Sequence, residues 1–223
     1  MDKLELDKLL RDIQELKRSV RKANPFLREI MELRAYWVMS IPLGILLLAD
    51  CLLMHFLVRA NGSFGAIPSG WKIAGSALFI AILAIGSVWK WIVINRRAGQ
   101  VKDGATILTV IKAIYGGDWF GFSAPLIVSL AVTSAFFLRS GRPWLVFSIV
   151  AVFIGIFSNF IGKLLERREY LFMGWYMTLA GLASLFFIES TPFVWLAIVW
   201  AGSFLVFGAA GLSVDRSERG ARP

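Results

Sequence analysis

The chain has 223 residues, of which 57% are hydrophobic and only 17% are charged, and its mean hydropathy is +0.68. Soluble domains carry about a quarter charged residues, and the apolar excess here falls in runs long enough to cross a bilayer, so this composition excludes an ordinary soluble protein. The formal net charge of +9 comes from Lys and Arg that cluster beside these runs, which favours contacts with anionic headgroups over nucleic-acid binding.

The first 35 residues are predicted to lie outside the membrane as an amphipathic, coiled-coil-like helix. Apolar residues between positions 6 and 20 follow the 3-4-3-4 spacing of a heptad seam, and Asn24-Pro25 interrupts the pattern. A seam this short is not stable alone in water. We therefore expect residues 6–20 either to lie on the headgroups or fold back onto the bundle, or to bind a protein partner or a second copy of the chain.

The rest of the chain is predicted to be an all-α membrane domain, a bundle of six spanning helices in three hairpins, followed by a tail at 213–223. Each apolar run has the roughly 20 residues that a spanning helix needs. The links 139–142 and 189–191 are so short that the spans they join must be antiparallel neighbours. The predicted spans are 36–58, 72–95, 120–138, 143–162, 170–188 and 192–212.

The link between spans 2 and 3, residues 96–119, is predicted to contain a short interfacial helix. Asp103 is suited to cap its N-terminus, and Gly116-Gly117 to end it. The helix is too short to span, and Lys102 and Lys112 favour the headgroup region over a re-entrant path.

The distribution of Lys and Arg predicts the orientation. Nineteen of the 24 lie in the termini and in the links 96–119 and 163–169, which share one side of the membrane, whereas four lie on the other side. The basic side is ordinarily cytoplasmic. The sequence therefore predicts a multi-pass protein of the plasma (inner) membrane with both termini in the cytoplasm.

Asp50 is the main candidate for a functional residue, because a carboxylate inside a span is costly and must find partners. It lies eight residues before the predicted end of span 1, about 12 Å deep. Ser129, Thr178 and Ser203 lie at a similar depth in spans 3, 5 and 6 and are predicted partners. Asp50 is then either a structural, hydrogen-bonded acid or a protonatable site or cation contact in a polar pathway.

Four further polar residues are weaker candidates. His55 is about 140° from Asp50 on the helical wheel, so the two do not share a face, and it lies near the outer surface at the level of Glu189. Lys90 is close enough to the end of span 2 for its ammonium to reach the headgroups. Alternatively, Lys90 and Asn159 in span 4 form an inner polar cluster.

The chain lacks the usual signatures of catalysis and of metal binding. It has no phosphate-binding loop and no GxSxG or HExxH motif, and it has one His and one Cys. We therefore predict no catalytic residue, no cofactor and no metal.

The sequence leaves three functions open. The interpretation that it favours is a non-enzymatic regulatory or envelope-associated subunit that works through interaction, because the N-terminal seam is distinctive and the spans are poor in polar residues. The alternative is a small oligomeric transporter or channel that uses Asp50 in its pathway. An enzyme acting on lipid or quinone, with Lys90, Asn159 or Asp118 at the inner face, is the third.

Overall fold

The protein is built from helices, and the described residues contain no strand. The computed structural model describes residues 34–101, 106, 108–109, 111 and 118–220. The N-terminal helix predicted over 1–35 lies outside them apart from its last two residues, as does most of the link between the second and third spans. In chain order the helices are α1 (Arg34–Asn61), α2 (Ser69–Val101), α3 (Asp118–Arg139), α4 (Pro143–Leu165), α5 (Arg168–Phe187), α6 (Pro192–Leu196), a π-helical segment (Ala197–Ala201) and α7 (Gly202–Gly220).

The all-helical class is confirmed, and five stretches of helix are long and apolar enough to cross a membrane, which is compatible with a helical membrane protein. They are Tyr36–Asn61, Ser69–Val101, Pro143–Leu165, Arg168–Phe187 and Pro192–Val214, where α6, the π-helical segment and α7 run on as one rod. The third predicted span corresponds to α3. The apolar stretch found in α3, Ala124–Arg139, is shorter than the five candidate spans.

Prolines and left-handed residues set where several helices begin and end. Pro143 and Pro192 occupy the first turns of α4 and α6, where a missing N–H costs nothing. Gly141 has a φ of +73° in the α3–α4 turn, which suits glycine. Glu166 ends α4 in the left-handed conformation, and the N–H of Arg167 donates to the carbonyl of Gly162 at 2.9 Å, which is a Schellman-type cap.

Helices α4 and α5 form the closest interface of the bundle, and glycines make it possible. The sequence places Gly155 and Gly162 seven residues apart in α4, and Gly174 and Gly181 likewise in α5. A Cβ added at any of these four positions would lie within 3 Å of an atom of the other helix. Such glycine stripes let two helices pack closely. Ser184 adds a buried hydrogen bond, donating to Ser148 Oγ at 2.7 Å.

Helix α2, like α3, has its backbone close to one neighbouring helix among those described. Its backbone lies close to α1 alone among the described helices, with Gly75 of α2 against Met54 of α1. Towards α4 it reaches mainly through side chains, such as the rings of Phe79 and Phe147, whose centroids are 6.0 Å apart. The gap that this leaves between α2 and the rest of the bundle contains the two cavities described next.

Candidate functional site

The larger cavity, which we call the Asp50 cavity, has a volume of about 560 Å³ and lies between α1, α2, α4 and α6. Helix α1 contributes Asp50 and Cys51, which face inward because α1 is held against α2 on one side and α7 on the other. The volume falls within the range of roughly 300–1,000 Å³ that small-molecule sites occupy.

Asp50 is the one acidic residue among the described residues that line this cavity. Its exposed fraction is 4%, and its Oδ1 atom has no hydrogen-bond partner among the described residues. Burying an ionised carboxylate without a partner is strongly unfavourable, so the group requires a proton, a cation or a ligand donor. In the described part of the lining, hydroxyl groups come from Ser76 and Ser87, both on α2.

Aromatic rings form much of the remaining wall. Phe64, from the α1–α2 link, lies 5.9 Å from Trp144 and 5.7 Å from Phe193, measured between ring centroids, and the latter two rings are 5.4 Å apart. Rings in tilted and edge-to-face contact hold one another in place. Together with Phe79 and Phe147 they give the carboxylate an apolar, electron-rich surrounding.

A second cavity of about 300 Å³, the Lys90 cavity, adjoins the first. Leu83 and Ser87 line both, so the two follow one another along α2. Of the described residues that line it, Lys90 is the one with a charged side chain, and hydroxyl groups are frequent around it. The hydroxyl-bearing lining residues are Tyr36, Ser87, Ser158, Tyr170 and Ser203.

The three predicted partners of Asp50 do not line its cavity. Ser203 is buried, lines the Lys90 cavity and donates to the carbonyl of Trp200 at 2.7 Å. Thr178 faces α4 and donates to the carbonyl of Gly174 at 2.8 Å. Ser129 is exposed on α3. The structure therefore brings one predicted hydroxyl to a neighbouring cavity and leaves two elsewhere.

The weaker candidate residues also lie at different places in the bundle. Asn159 lies against Gly174 in the α4–α5 interface and does not line the Lys90 cavity, where its neighbour Ser158 does. His55 is half-buried, with its ring 6.0 Å from that of Phe56. Glu189 is exposed, with Oε1 3.7 Å from Nε of Arg142 across the ends of two hairpins.

The spacing of the polar residues in α2 could have predicted which face of this helix lines the cavities. Ser76 and Ser87 are eleven residues apart, close to three helical turns, and Lys90 follows three residues later. That spacing puts the three on one face of α2, the face that lines both cavities. The burial of two other residues could not be predicted from the sequence. Glu169 and Arg167, at the turn between α4 and α5, have exposed fractions of 0% and 9%, although the composition of this link is typical of a solvated basic loop.

Among the described residues, no three His, Cys, Asp or Glu side chains converge as metal ligands. No family model, curated protein or solved structure matches the chain. The two cavities are therefore the features of the molecule that bear on its function.

Proposed function

We propose that this protein is a small membrane transporter for hydrophobic organic cations, with Asp50 as the charged contact in its pathway. The observation that carries the proposal is a carboxylate with an exposed fraction of 4% that lines an aromatic cavity of about 560 Å³. A cation with an apolar body satisfies both features, because the carboxylate supplies charge and the rings supply apolar contact and cation–π attraction.

A pathway also needs a continuation beyond the binding cavity. The Lys90 cavity supplies one, since Leu83 and Ser87 border both spaces. The positive charge of Lys90 would repel a cation that enters this second cavity. A cation held at Asp50 could therefore leave through the Lys90 cavity only after the helices rearrange. Helix α2 borders both cavities and has its backbone close to α1 alone among the described helices, so we propose that it is the element that moves.

We propose six spans, with α3 as the third, in the plasma (inner) membrane. Nineteen of the 24 Lys and Arg residues belong to the segments on the side of the termini, which supports cytoplasmic termini. Epitope tags at residue 1 and in the link 62–68, probed in intact and permeabilised cells, test this; a tag at residue 1 accessible from outside would contradict it.

Equilibrium binding tests the ligand class. Tetraphenylphosphonium is the cationic probe, and triphenylphosphine oxide, which is neutral, is the reference. We expect the purified full chain to prefer the cation, and Asp50→Asn to weaken its binding by about tenfold or more, the loss expected when one close carboxylate–cation attraction in a partly buried site is removed. The matched control is Glu189→Gln, which neutralises an exposed acid outside the cavity. Equal binding of the cation by all three proteins would refute the proposal.

A second function is supported by a separate observation, the heptad spacing of residues 6–20. The interaction-subunit interpretation places a protein partner, or a second copy, on this segment, which lies outside the described residues. Crosslinking in native membranes with the full chain and with a chain lacking residues 1–23 tests it. A stoichiometric partner lost on deletion supports it; the same crosslinks in both samples exclude docking through this helix.

A further inference from the structure

The Lys90 cavity has the opposite charge character to the Asp50 cavity, and it is built to hold a different group. We propose that it binds an oxyanion, such as the phosphate of a lipid head group, between Lys90 and the hydroxyl of Tyr170. The inference goes beyond the proposed function, because an anion can be held there whether or not a cation passes Asp50; while bound, it would occupy the continuation of the proposed pathway.

Lys90 gives the cavity its charge. The residue is half-buried, and it forms no ion pair or hydrogen bond with another described residue. Among the described residues, no carboxylate lines the cavity; the nearest acid in sequence to a lining residue, Glu169, is fully buried beside Tyr170 and is not part of the lining. An ammonium group at the edge of an apolar interior is stabilised by an anion that enters from outside.

Tyr170 is the second, independent observation. Its exposed fraction is 4%, it lines the cavity, and its hydroxyl has no hydrogen-bond partner among the described residues. A buried hydroxyl normally has a partner, so an orphan beside a cavity indicates a missing acceptor. An oxyanion is such an acceptor, and it would satisfy Tyr170 and Lys90 together.

Serine side chains add further hydrogen-bond donors to the cavity. Ser87 and Ser158 line the cavity and supply further hydroxyl donors, whereas Ser203 already donates its proton to the carbonyl of Trp200. A phosphate or carboxylate has several acceptor oxygens, which suits a cluster of donors around one cation. A volume of about 300 Å³ is enough for a small head group.

The test measures binding to the purified full chain in dodecyl maltoside by thermal stability. The probes are dioctanoyl phosphatidic acid, dioctanoyl phosphatidylcholine and inorganic phosphate. We expect phosphatidic acid to stabilise the protein and phosphatidylcholine to do so much less. Lys90→Gln should weaken the response by about tenfold and Tyr170→Phe by about threefold, the losses expected for a charge-assisted and a neutral hydrogen bond. Lys90→Arg should retain it.

Lys163→Gln is the matched control, because Lys163 is an exposed cation near the end of α4 that does not line the cavity. If inorganic phosphate stabilises the wild type as well as phosphatidic acid does, and Lys90→Gln removes both effects, the oxyanion site stands and its ligand is the free anion. If Lys90→Gln and Tyr170→Phe both keep the wild-type response, the inference is wrong. Tyr170→Phe decides alone should Lys90→Gln fail to fold, since it removes only a hydroxyl.

Discussion

Gly174 of α5 lies directly against Asn159 of α4, so that a Cβ at position 174 would stand 2.6 Å from the backbone nitrogen of Asn159. This contact typifies one side of the bundle, where α4 and α5 touch backbone to backbone. On the other side, α2 and α4 are bridged by rings and separated by cavities. The fold thus joins a tightly packed half to an open half, and the candidate site lies in the open one.

Gly174→Ala is expected to destabilise the bundle. The added methyl has no room unless α4 and α5 separate, and overpacking of this kind costs about 1–3 kcal/mol. Gly99→Ala is the control, because Gly99 lies in α2 with nothing within 4 Å of its added Cβ. Unfolding in mixed micelles measures both. Equal stability of the two variants would show that α4 and α5 do not pack as described.

Tyr176 and Gly202 are expected to be coupled. The Tyr176 hydroxyl donates to the carbonyl of Ile198 in the π-helical segment and lies against Gly202, where a Cβ would collide with it. Tyr176→Phe alone should cost about 0.6 kcal/mol, the average for such bonds in a membrane. Gly202→Ala should cost more, and adding Tyr176→Phe should recover part of that loss. A double-mutant cycle measures the coupling, and strict additivity would contradict the contact.

The pair Arg142 and Glu189 is expected to contribute little to stability. The side chains are 62% and 52% exposed and 3.7 Å apart, and exposed pairs are worth about 0–1 kcal/mol. Glu189→Gln should therefore unfold at nearly the wild-type denaturant concentration in a mixed-micelle titration. A large loss would mean that the pair fixes the two hairpin ends to each other. The same variant serves as the control for Asp50→Asn above.

The helices were predictable because span length and link chemistry are local properties of the chain. Each described helix overlaps the span predicted for it, and the differences lie at the ends: α2 continues beyond position 95 to Val101, and α7 continues beyond 212 to Gly220. Hydropathy measures where the hydrocarbon ends, whereas a helix continues into the headgroups as long as its backbone bonds are kept.

The faces of the helices were not predictable in the same way. In a soluble helix the polar face shows which side is buried, but lipid is as apolar as a protein core, so a spanning helix lacks that periodicity. The sequence therefore placed Ser129 and Asp50 at a similar depth in the membrane but did not show which of them is buried. In the structure Ser129 is exposed on α3 and Asp50 is buried. Glycine spacing was the exception, since close packing leaves a stripe that can be read directly.

The central claim is that Asp50 carries a cation through the bundle, and flux in proteoliposomes measures it most directly. Tetraphenylphosphonium uptake is followed with the wild type, Asp50→Asn and Glu189→Gln at equal reconstituted amounts. The account predicts saturable uptake by the wild type and Glu189→Gln, and its loss in a folded Asp50→Asn. Uptake by Asp50→Asn at the wild-type rate, or no protein-dependent uptake at all, would contradict it.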